Sequence, residues 1–268
     1  MNSEEIIESI KTVLITGAAS GIGYEFTQIF ARNNYNLVLV DINQKKLNEL
    51  AQELPKKFGI SVKIIVKDLS NLDAAKEIFT EVQNSSITIN ILVNNAGFGN
   101  YGLFTETKLN SELEMMQVNM ISPTYLTKLF LKDMLEKGQG KILNVASTAA
   151  FQPGPLMAVY FATKAYILSF SEAIANELEG TGVSVTVLCP GPTESAFHHR
   201  TGISGSNLVK SKKMMDAKTV AEVGYNGLMA NKTTVIPGIK NKILAKTVRF
   251  IPRKLLTKIV RSLQEVKN

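Results

Sequence analysis

The stretch YFATKAY places Tyr160 four residues before Lys164. Residues four apart lie on one face of a helix, so the phenol and the ammonium group would be neighbours there. A tyrosine, with a pKa of about 10, is a poor acid or base near neutral pH, but a neighbouring cation stabilises its phenolate and lowers that pKa. The pair is therefore a candidate for proton transfer to a reacting oxygen. The same spacing is common on exposed helix surfaces, so the pair alone does not identify a catalytic site.

A glycine-rich stretch, TGAASGIG at residues 16–23, follows the apolar run TVLIT and opens a helical pattern that continues to about Arg32. Glycines at a strand-to-helix turn let the backbone approach a pyrophosphate, and the helix N-terminus offers it free N–H groups. A tight turn without a ligand is the alternative, but the position directly after the first strand favours a phosphate-binding loop. The candidate contacts are Gly17, Ser20, Gly21, Ile22 and Gly23.

Asp41 ends the second predicted strand, 18 residues after Gly23. A carboxylate at this position can accept hydrogen bonds from both ribose hydroxyls of adenosine and would repel a 2′-phosphate, which favours NAD over NADP. Lys45 and Lys46 follow closely and would soften that repulsion. A helix N-cap role for Asp41 or Asn43 is the other interpretation, and both roles can hold together.

Strand-like and helix-like stretches alternate along the chain. The strand candidates are the apolar runs at residues 12–16, 36–41, 61–68, 89–97, 140–147, 182–191 and 233–238. Near-continuous apolar strands separated by helices indicate a parallel sheet that is covered on both faces. We therefore predict an α/β domain with three layers, doubly wound around a seven-stranded, mostly parallel sheet.

Small and polar residues cluster where these predicted strands end. In open parallel sheets, ligands bind beyond the carboxyl ends of the strands. Each of these residues has an ordinary explanation as a helix cap or a turn former, but together they would line one edge of one sheet. The residues are Asp68, Leu69, Asn95, Ala96, Gly97, Ser147, Pro190 and Gly191.

These motifs occur together between residues 12 and 193. Their order is TGAASGIG, Asp68, NNAG, Asn119 within VNM, Ser147, YFATK and PGPT. In this order, and with Ser147 placed 13 residues before Tyr160, the chain resembles the short-chain dehydrogenase/reductase family. The resemblance implies a Rossmann fold and a nicotinamide cofactor. It also implies a catalytic tetrad of Asn119, Ser147, Tyr160 and Lys164.

The resemblance assigns a role to each of these side chains. Tyr160 would be the acid–base group, and Lys164 would lower its pKa and bind the nicotinamide ribose. Ser147 would donate to the substrate oxygen, where negative charge develops. Thr193 matches a position that contacts the nicotinamide amide. Pro123 cannot donate a backbone N–H to the carbonyl of Asn119, which could then hold a water that connects Lys164 to solvent.

The implied activity is the NAD(P)-dependent interconversion of an alcohol and a carbonyl by hydride transfer. FGNYGLFTE and the basic tail resemble the DltE-like and 3-oxoacyl- or hydroxysteroid-type reductases, which suggests an apolar substrate. The alternatives are a cofactor-binding regulator without turnover, which the intact tetrad disfavours, and a membrane-recruited binding protein. Members of this family form dimers and tetramers through the long helices predicted at 110–137 and 157–179, so we expect a homodimer or a homotetramer.

Composition excludes several other classes of function. The single cysteine, Cys189, rules out an internal disulfide framework and is expected to be buried in a strand. The two histidines, His198 and His199, are adjacent, so no metal site is predicted. The N-terminus is acidic and polar, and no apolar run approaches the roughly 20 residues of a membrane-spanning helix. These features lead us to expect a cytoplasmic protein.

Positive charge is concentrated at the C-terminus. The net charge is +7, and residues 240–268 hold nine basic residues and one acid, which leaves 7 − 8 = −1 for residues 1–239. We predict a catalytic domain at 1–239, with a lid-like insertion near 193–216, and a basic amphipathic extension at 240–268. The extension could contact an anionic membrane or, the favoured interpretation, pack on the enzyme's own surface. Nucleic-acid binding is not expected, because the body lacks a basic excess.

Overall fold

The computed structural model describes residues 10–194 and 214–265. The strands are β1 (Thr12–Thr16), β2 (Asn36–Asp41), β3 (Val62–Val66), β4 (Ile91–Asn94), β5 (Gly140–Val145), β6 (Val183–Leu188), β7 (Thr193–Glu194), β8 (Met215–Asp216) and β9 (Thr234–Val235). The α-helices are α1 (Gly21–Arg32), α2 (Gln44–Phe58), α3 (Ala74–Asn84), α4 (Leu109–Met116), α5 (Ser122–Glu136), α6 (Ala158–Glu177), α7 (Ala217–Met229), α8 (Ile239–Thr247) and α9 (Arg253–Gln264).

Seven strands form one sheet in the order β3–β2–β1–β4–β5–β6–β9, and every neighbouring pair is parallel. The predicted doubly wound α/β fold is confirmed, and the sheet is wholly rather than mostly parallel. The last strand is shorter than the predicted 233–238, since Pro237 cannot donate a ladder hydrogen bond. The separate β7–β8 pair was not predicted, because strands of two residues carry no periodic signal.

Side chains on the two faces of the sheet enter separate cores. Val13 and Ile15 of β1 pack on the face that α1, α2 and α7 cover, and Leu14 packs on the face that α3, α5 and α6 cover. This alternation follows from the pleat of a strand, and apolar residues at both parities give a sheet buried on both sides. Because β1, β4, β5 and β6 are parallel neighbours, their carboxyl ends meet at one edge of the sheet.

The predicted helix 110–137 is three segments rather than one. A π-helical turn, Gln117–Ile121, separates α4 from α5 and carries Asn119. The sequence predicts that Pro123 interrupts this helix, but Pro123 lies in the first turn of α5, where its missing N–H costs little. The interruption thus comes earlier and from the π turn, a feature frequent at functional sites.

The C-terminal segment folds back onto the body. After α8, a 3₁₀ turn at Val248–Phe250 leads into α9. Val248, Leu256 and Val260 share an apolar cluster with Met157 and Tyr160. This inner face of the extension therefore packs on the protein's own surface. In the described ranges, 10–194 and 214–265, no helix is both long enough and apolar enough to cross a membrane.

Candidate active site

The turn between β1 and α1 is shaped by glycines. Gly17 and Gly21 have φ of +66° and +55°, a left-handed conformation that other residues rarely adopt. A Cβ on Gly23 would lie 2.0 Å from the Gly17 carbonyl oxygen, so backbone meets backbone here. Ser20 is the N-cap of α1, and among the described residues its side chain has no capping hydrogen bond. The first N–H groups of a helix lack intrahelical acceptors, so this end of α1 suits an anionic ligand.

Asn95 and Thr16 hold the glycine loop against β4. The amide of Asn95 donates to the carbonyl oxygens of Thr16 and Gly17, at 3.0 and 3.2 Å. The Thr16 hydroxyl accepts the backbone N–H groups of Asn95 and Ala96, both at 3.1 Å. Asn95, predicted as a cofactor contact, therefore fixes the loop through its side chain.

Asp41 ties the same loop to the end of β2. Its carboxylate accepts the backbone N–H groups of Ala19 and Asn43, each at 2.9 Å. Of the two residues considered as N-cap of α2, the structure shows Asn43, whose side chain accepts the Lys46 N–H at 3.0 Å. The capping alternative for Asp41 is thus wrong. Carboxylate oxygens have further lone pairs, so Asp41 can still accept hydrogen bonds from a ligand.

The remaining strand ends carry short polar contacts. Asp68 accepts the Ser70 N–H at 2.9 Å, and the carbonyl of Leu69 accepts the Ser122 hydroxyl at 2.8 Å. The Thr193 hydroxyl donates to the Gly191 carbonyl at 2.9 Å. These hydrogen bonds hold the strand ends in fixed positions around one opening.

Asn119 lies behind this opening and is 2% exposed. Its amide donates to the Phe98 carbonyl at 2.9 Å and to the Thr163 hydroxyl at 3.1 Å, and its Oδ1 accepts the Phe98 N–H at 3.1 Å. A Cβ on Gly97 would come within 3.1 Å of that oxygen and 3.3 Å of the Lys164 Nζ. The side chain therefore joins the end of β4 to α6. The water-binding role predicted for its carbonyl stays a prediction.

Tyr160 and Lys164 lie on α6 and are both buried. The Lys164 Nζ donates to the Val145 carbonyl at 3.0 Å and lies 5.8 Å from the centre of the Tyr160 ring. Burial lowers the pKa of Lys164 to about 8. The pair therefore belongs to a buried site at the end of β5 and does not lie on a solvent-exposed helix surface.

The pKa of Tyr160 departs from the sequence prediction. Burial raises it to about 12, and a hydrogen bond with Ser147 opposes that rise. The cost of burying a phenolate is the largest influence on this pKa, and the expected lowering by Lys164 does not offset it. Ser147 also accepts the Ala149 N–H at 3.1 Å, which orients its hydroxyl group near the phenol. With this pKa, the Tyr160 phenol keeps its proton at neutral pH.

A cavity of about 530 Å³ connects the glycine loop to these side chains. The predicted site residues that line it are Gly17, Ser20, Gly21, Ile22, Asp41, Asp68, Leu69, Asn95, Ala96, Gly97, Ser147, Tyr160, Lys164, Pro190, Gly191 and Thr193. Gly23 and Asn119 do not line it; they support the loop and the wall behind it. His198 and His199 lie outside the described residues, and Cys189 is fully buried.

The far wall of the cavity comes from the C-terminal segment, which sequence reasoning did not place there. Its lining residues are Asn241, Leu244, Val248, Ile251, Leu256, Ile259, Val260, Leu263 and Gln264. Met157 and Phe161 complete this apolar part. The helical spacing of apolar residues after Pro252 signals a packed face, but not which surface that face would cover.

Asn241 and Gln264 are the polar residues on this wall, and only Gln264 of the two is buried. It is 2% exposed, and within the described residues its Oε1 has no hydrogen-bond partner. The Tyr101 hydroxyl donates to its backbone carbonyl at 2.9 Å, which anchors this end of α9. A buried acceptor without a partner is costly, so a ligand with a donor at this point would satisfy it.

Comparison with protein families adds an independent finding. The family model for the short chain dehydrogenases matches residues 11–206, which is most of the chain.

Individual proteins agree. The chain is 29% identical over 243 residues to a ketoacyl reductase, HetN, of Nostoc, covering 90% of this chain and 83% of the relative. It is 32% identical over 219 residues to a very-long-chain 3-oxoacyl-CoA reductase of Pyrenophora tritici-repentis, covering 80% of this chain but only 63% of the relative. Among solved structures, a short-chain dehydrogenase of Sphingobium yanoikuyae in complex with NADPH superposes with a TM-score of 0.81 at 28% identity, covering 90% of this chain and 94% of that one.

Proposed function

This chain belongs to the short-chain dehydrogenase/reductase family of oxidoreductases, and we propose that it reduces an apolar carbonyl compound with a nicotinamide cofactor and Tyr160 as proton donor. One observation carries the proposal. Ser147, Tyr160 and Lys164 line the same cavity as the glycine loop and Asp41. A dinucleotide bound at the loop would extend toward Tyr160, and the C-terminal wall would hold a substrate against it.

The residues at the loop fit a dinucleotide. The close approach of Gly23 to the Gly17 carbonyl folds the loop tightly onto the start of α1, and Gly17, Ser20, Gly21 and Ile22 of this loop line the cavity. The N-terminus of α1 offers N–H groups to phosphate, and Asp41 offers acceptors to a ribose. Gly17, Ser20, Gly21 and Ile22 would hold the phosphates. Asp68 and Leu69 follow β3, next to Asp41 at the end of β2, and would lie at the adenosine end of the cofactor. The other predicted contacts, from Asn95 to Thr193, would extend toward and line the nicotinamide half.

The bound cofactor would supply a hydride to the carbonyl carbon. The chain's own groups would complete the reduction: the Ser147 hydroxyl donates a hydrogen bond to the carbonyl oxygen, and Tyr160 gives its proton to that oxygen as negative charge develops. The product is an alcohol, and the remaining phenolate is stabilised by the Lys164 ammonium. Asn119 would support the return of a proton from solvent through Lys164.

Asp41 supports NADH as the better donor, because a carboxylate repels the 2′-phosphate of NADPH. The Sphingobium dehydrogenase, which binds NADPH, shows that the fold itself does not decide the matter. We expect Asp41→Asn to raise the ratio of the NADPH to the NADH value of kcat/KM by about tenfold, since it removes the repelling charge. A wild-type enzyme that strongly prefers NADPH would overturn this assignment.

The substrate we propose is a ketone with a long apolar chain, of the 3-oxoacyl type. The C-terminal wall is almost wholly apolar, and relatives are named for ketoacyl and 3-oxoacyl-CoA reduction. In this account the extension predicted at 240–268 follows the catalytic domain at 1–239, and the side chains of it that line the cavity, such as Leu244 and Leu256, form the substrate-binding wall. The lid-like insertion proposed near 193–216 lies mostly outside the described residues.

A panel of carbonyl compounds tests the activity. Purified protein is mixed with NADH or NADPH and with 3-oxoacyl thioesters of increasing length, steroid ketones or small polar ketones, and cofactor oxidation is followed by absorbance. We expect kcat/KM to rise with the apolar length of the substrate. A folded protein that binds the cofactor but reduces no member of the panel would instead support the rival function, a cofactor-binding regulator.

We also propose a homodimer or a homotetramer in the cytoplasm. The helices α4, α5 and α6 leave apolar side chains exposed, among them Leu109, Leu113, Leu135 and Tyr166. Burial of such side chains between subunits would stabilise an assembly. Light scattering after size-exclusion chromatography measures the subunit number, and a monomer at micromolar concentration would contradict this proposal.

A further inference from the structure

The outer face of the C-terminal segment combines two kinds of exposed side chain. Between residues 239 and 264 there are eight basic residues and no acidic residue. All eight are exposed: Lys240, Lys242, Lys246, Arg249, Arg253, Lys254, Lys258 and Arg261. Residues 1–239 together carry a net charge of 7 − 8 = −1, so the C-terminal segment holds the positive excess of the chain.

Helix α9 carries more apolar side chains than it buries against the core. Leu256 and Val260 are buried, at 5% and 3% exposure. Leu255, Ile259 and Leu263, one position before the buried row and also four apart, are 51%, 42% and 39% exposed. Residues spaced by four form rows along a helix, so a second, partly exposed apolar row lies beside the buried one.

More apolar surface lies on the two elements before α9. Phe250, in the 3₁₀ turn, is 87% exposed, and Ile239 and Ile243 of α8 are 76% and 57% exposed. Exposure of the Phe250 side chain to water is unfavourable in free energy, because its apolar surface is not buried. We call the exposed apolar side chains of residues 239–264, together with the eight basic residues, the basic apolar face.

The cavity reaches this face. Leu244, Ile259 and Leu263 line the cavity and are also partly exposed to solvent. These three side chains therefore belong both to the substrate wall and to the outer surface. A ligand that left the cavity past them would meet the basic apolar face first.

We propose that the basic apolar face docks on an anionic lipid bilayer and that the cavity takes its carbonyl substrate from that bilayer. Basic residues near a membrane surface are attracted to anionic headgroups, and exposed apolar side chains insert at the interface. A second copy of the chain is a poorer occupant, because it would bring two faces of the same positive charge together. The docking stands without the proposed reductase activity, whereas the access route for substrate rests on it.

Flotation of the full chain with vesicles tests the docking. One set contains equal parts of phosphatidylglycerol and phosphatidylcholine, and the other contains phosphatidylcholine alone. We expect wild-type protein to float with the anionic set only and to be released by high salt, which screens the attraction. Wild-type protein that stays at the bottom with both sets would overturn the docking.

Charge reversal locates the contact. The variant Arg249→Glu/Lys254→Glu/Lys258→Glu should bind anionic vesicles about a hundredfold more weakly, at roughly one kilocalorie per mole for each cation lost. The matched control, Lys56→Glu/Lys76→Glu/Lys132→Glu, changes three exposed lysines of the body and alters the net charge equally. An equal loss in both variants would show attraction to net charge alone and contradict the proposal. Circular dichroism and a thermal melt verify that each variant is folded.

Single apolar substitutions separate insertion from simple attraction. Phe250→Ser should reduce vesicle binding several-fold, whereas Leu72→Ser, at a residue 72% exposed outside the segment, should not. No difference between these two variants would overturn insertion by the face.

Activity tests the access route separately. Anionic vesicles should increase the reduction rate of a membrane-partitioned ketone by wild type, and not by the charge-reversed triple variant. The rate with a small water-soluble ketone should be equal in both proteins. Stimulation that is equal in wild type and the triple variant would overturn the route. If no ketone is reduced at all, the proposed function fails, and the flotation result still decides the docking.

Discussion

The two halves of the cavity are built in different ways. The proposed cofactor half consists of glycines, backbone groups and short polar side chains. Hydrogen bonds fix these groups at the ends of the strands. The substrate half consists of apolar side chains from α8, the 3₁₀ turn and α9, which pack by volume and have few directional bonds. Directional contacts tolerate little change, whereas apolar packing tolerates changes that keep its volume. One half is therefore suited to a single kind of ligand, and the other to a class of ligands.

The largest effect is expected in the cofactor half, from Gly23→Ala. The new Cβ would lie 2.0 Å from the Gly17 carbonyl oxygen and 2.4 Å from the Asn95 amide nitrogen, so the loop must move. We expect the affinity for NADH, measured by fluorescence titration, to fall by about a hundredfold or more.

Gly59→Ala is the matched control for this substitution. Gly59 has a φ of +69°, and a Cβ there meets no atom of the described residues within 4 Å. It should cost about 1 kcal/mol of stability and leave NADH binding unchanged. Equal loss of binding in both variants would show that the glycine loop has no special role.

In the substrate half, Leu256→Ala should have a smaller effect than Gly23→Ala, and it should change the binding of the ketone rather than that of NADH. Leu256 is 5% exposed, and its truncation should cost about 2–4 kcal/mol of unfolding free energy by leaving a cavity. We expect KM for an apolar ketone to rise about tenfold while the dissociation constant of NADH stays within twofold. Leu255→Ala, at 51% exposure, is the control and should change neither value. A parallel loss of NADH affinity would break the distinction between the halves.

Lys164 lies at the junction of the two halves. Its lowered pKa leads us to expect that the rate of carbonyl reduction depends on pH. Burial lowers its pKa to about 8, so the ammonium is present below that pH and is lost as the pH rises through it. Tyr160, with its pKa raised to about 12, keeps its proton throughout this range. We expect kcat/KM to be constant from about pH 6 to 7.5 and to fall by up to about tenfold per pH unit above 8. A rate that rises from pH 8 to 10 would contradict this assignment.

The smallest predicted effect concerns Gln264, a buried polar residue of the apolar half. Gln264→Leu should raise KM by about fivefold for ketones that carry a hydrogen-bond donor in their distal part. Analogues without that donor should bind equally well or better, since the buried Oε1 would no longer be unpaired. Equal changes for both groups of substrates would exclude a contact between Gln264 and the substrate.

Sequence reasoning was unequally successful in the two halves, for a physical reason. The residues predicted to contact the cofactor could be placed along one cavity because each is tied to a local pattern, such as glycines after β1 or a small residue at the end of β4. The C-terminal wall depends on the position of α9 over Tyr160, which is a contact between distant parts of the chain and has no local pattern. The π turn around Asn119 was missed because its local sequence looks like that of an α-helix. The raised pKa of Tyr160 could not be predicted either, since it depends on burial.

Replacement of the phenol hydroxyl at Tyr160 tests the central claim most directly. Tyr160→Phe should bind NADH within about twofold of wild type but transfer hydride about a thousandfold more slowly in a single turnover. Tyr166→Phe, on the same helix with its hydroxyl 3.1 Å from that of Thr124, is the control and should react at the wild-type rate. Hydride transfer by Tyr160→Phe at the wild-type rate would contradict the account.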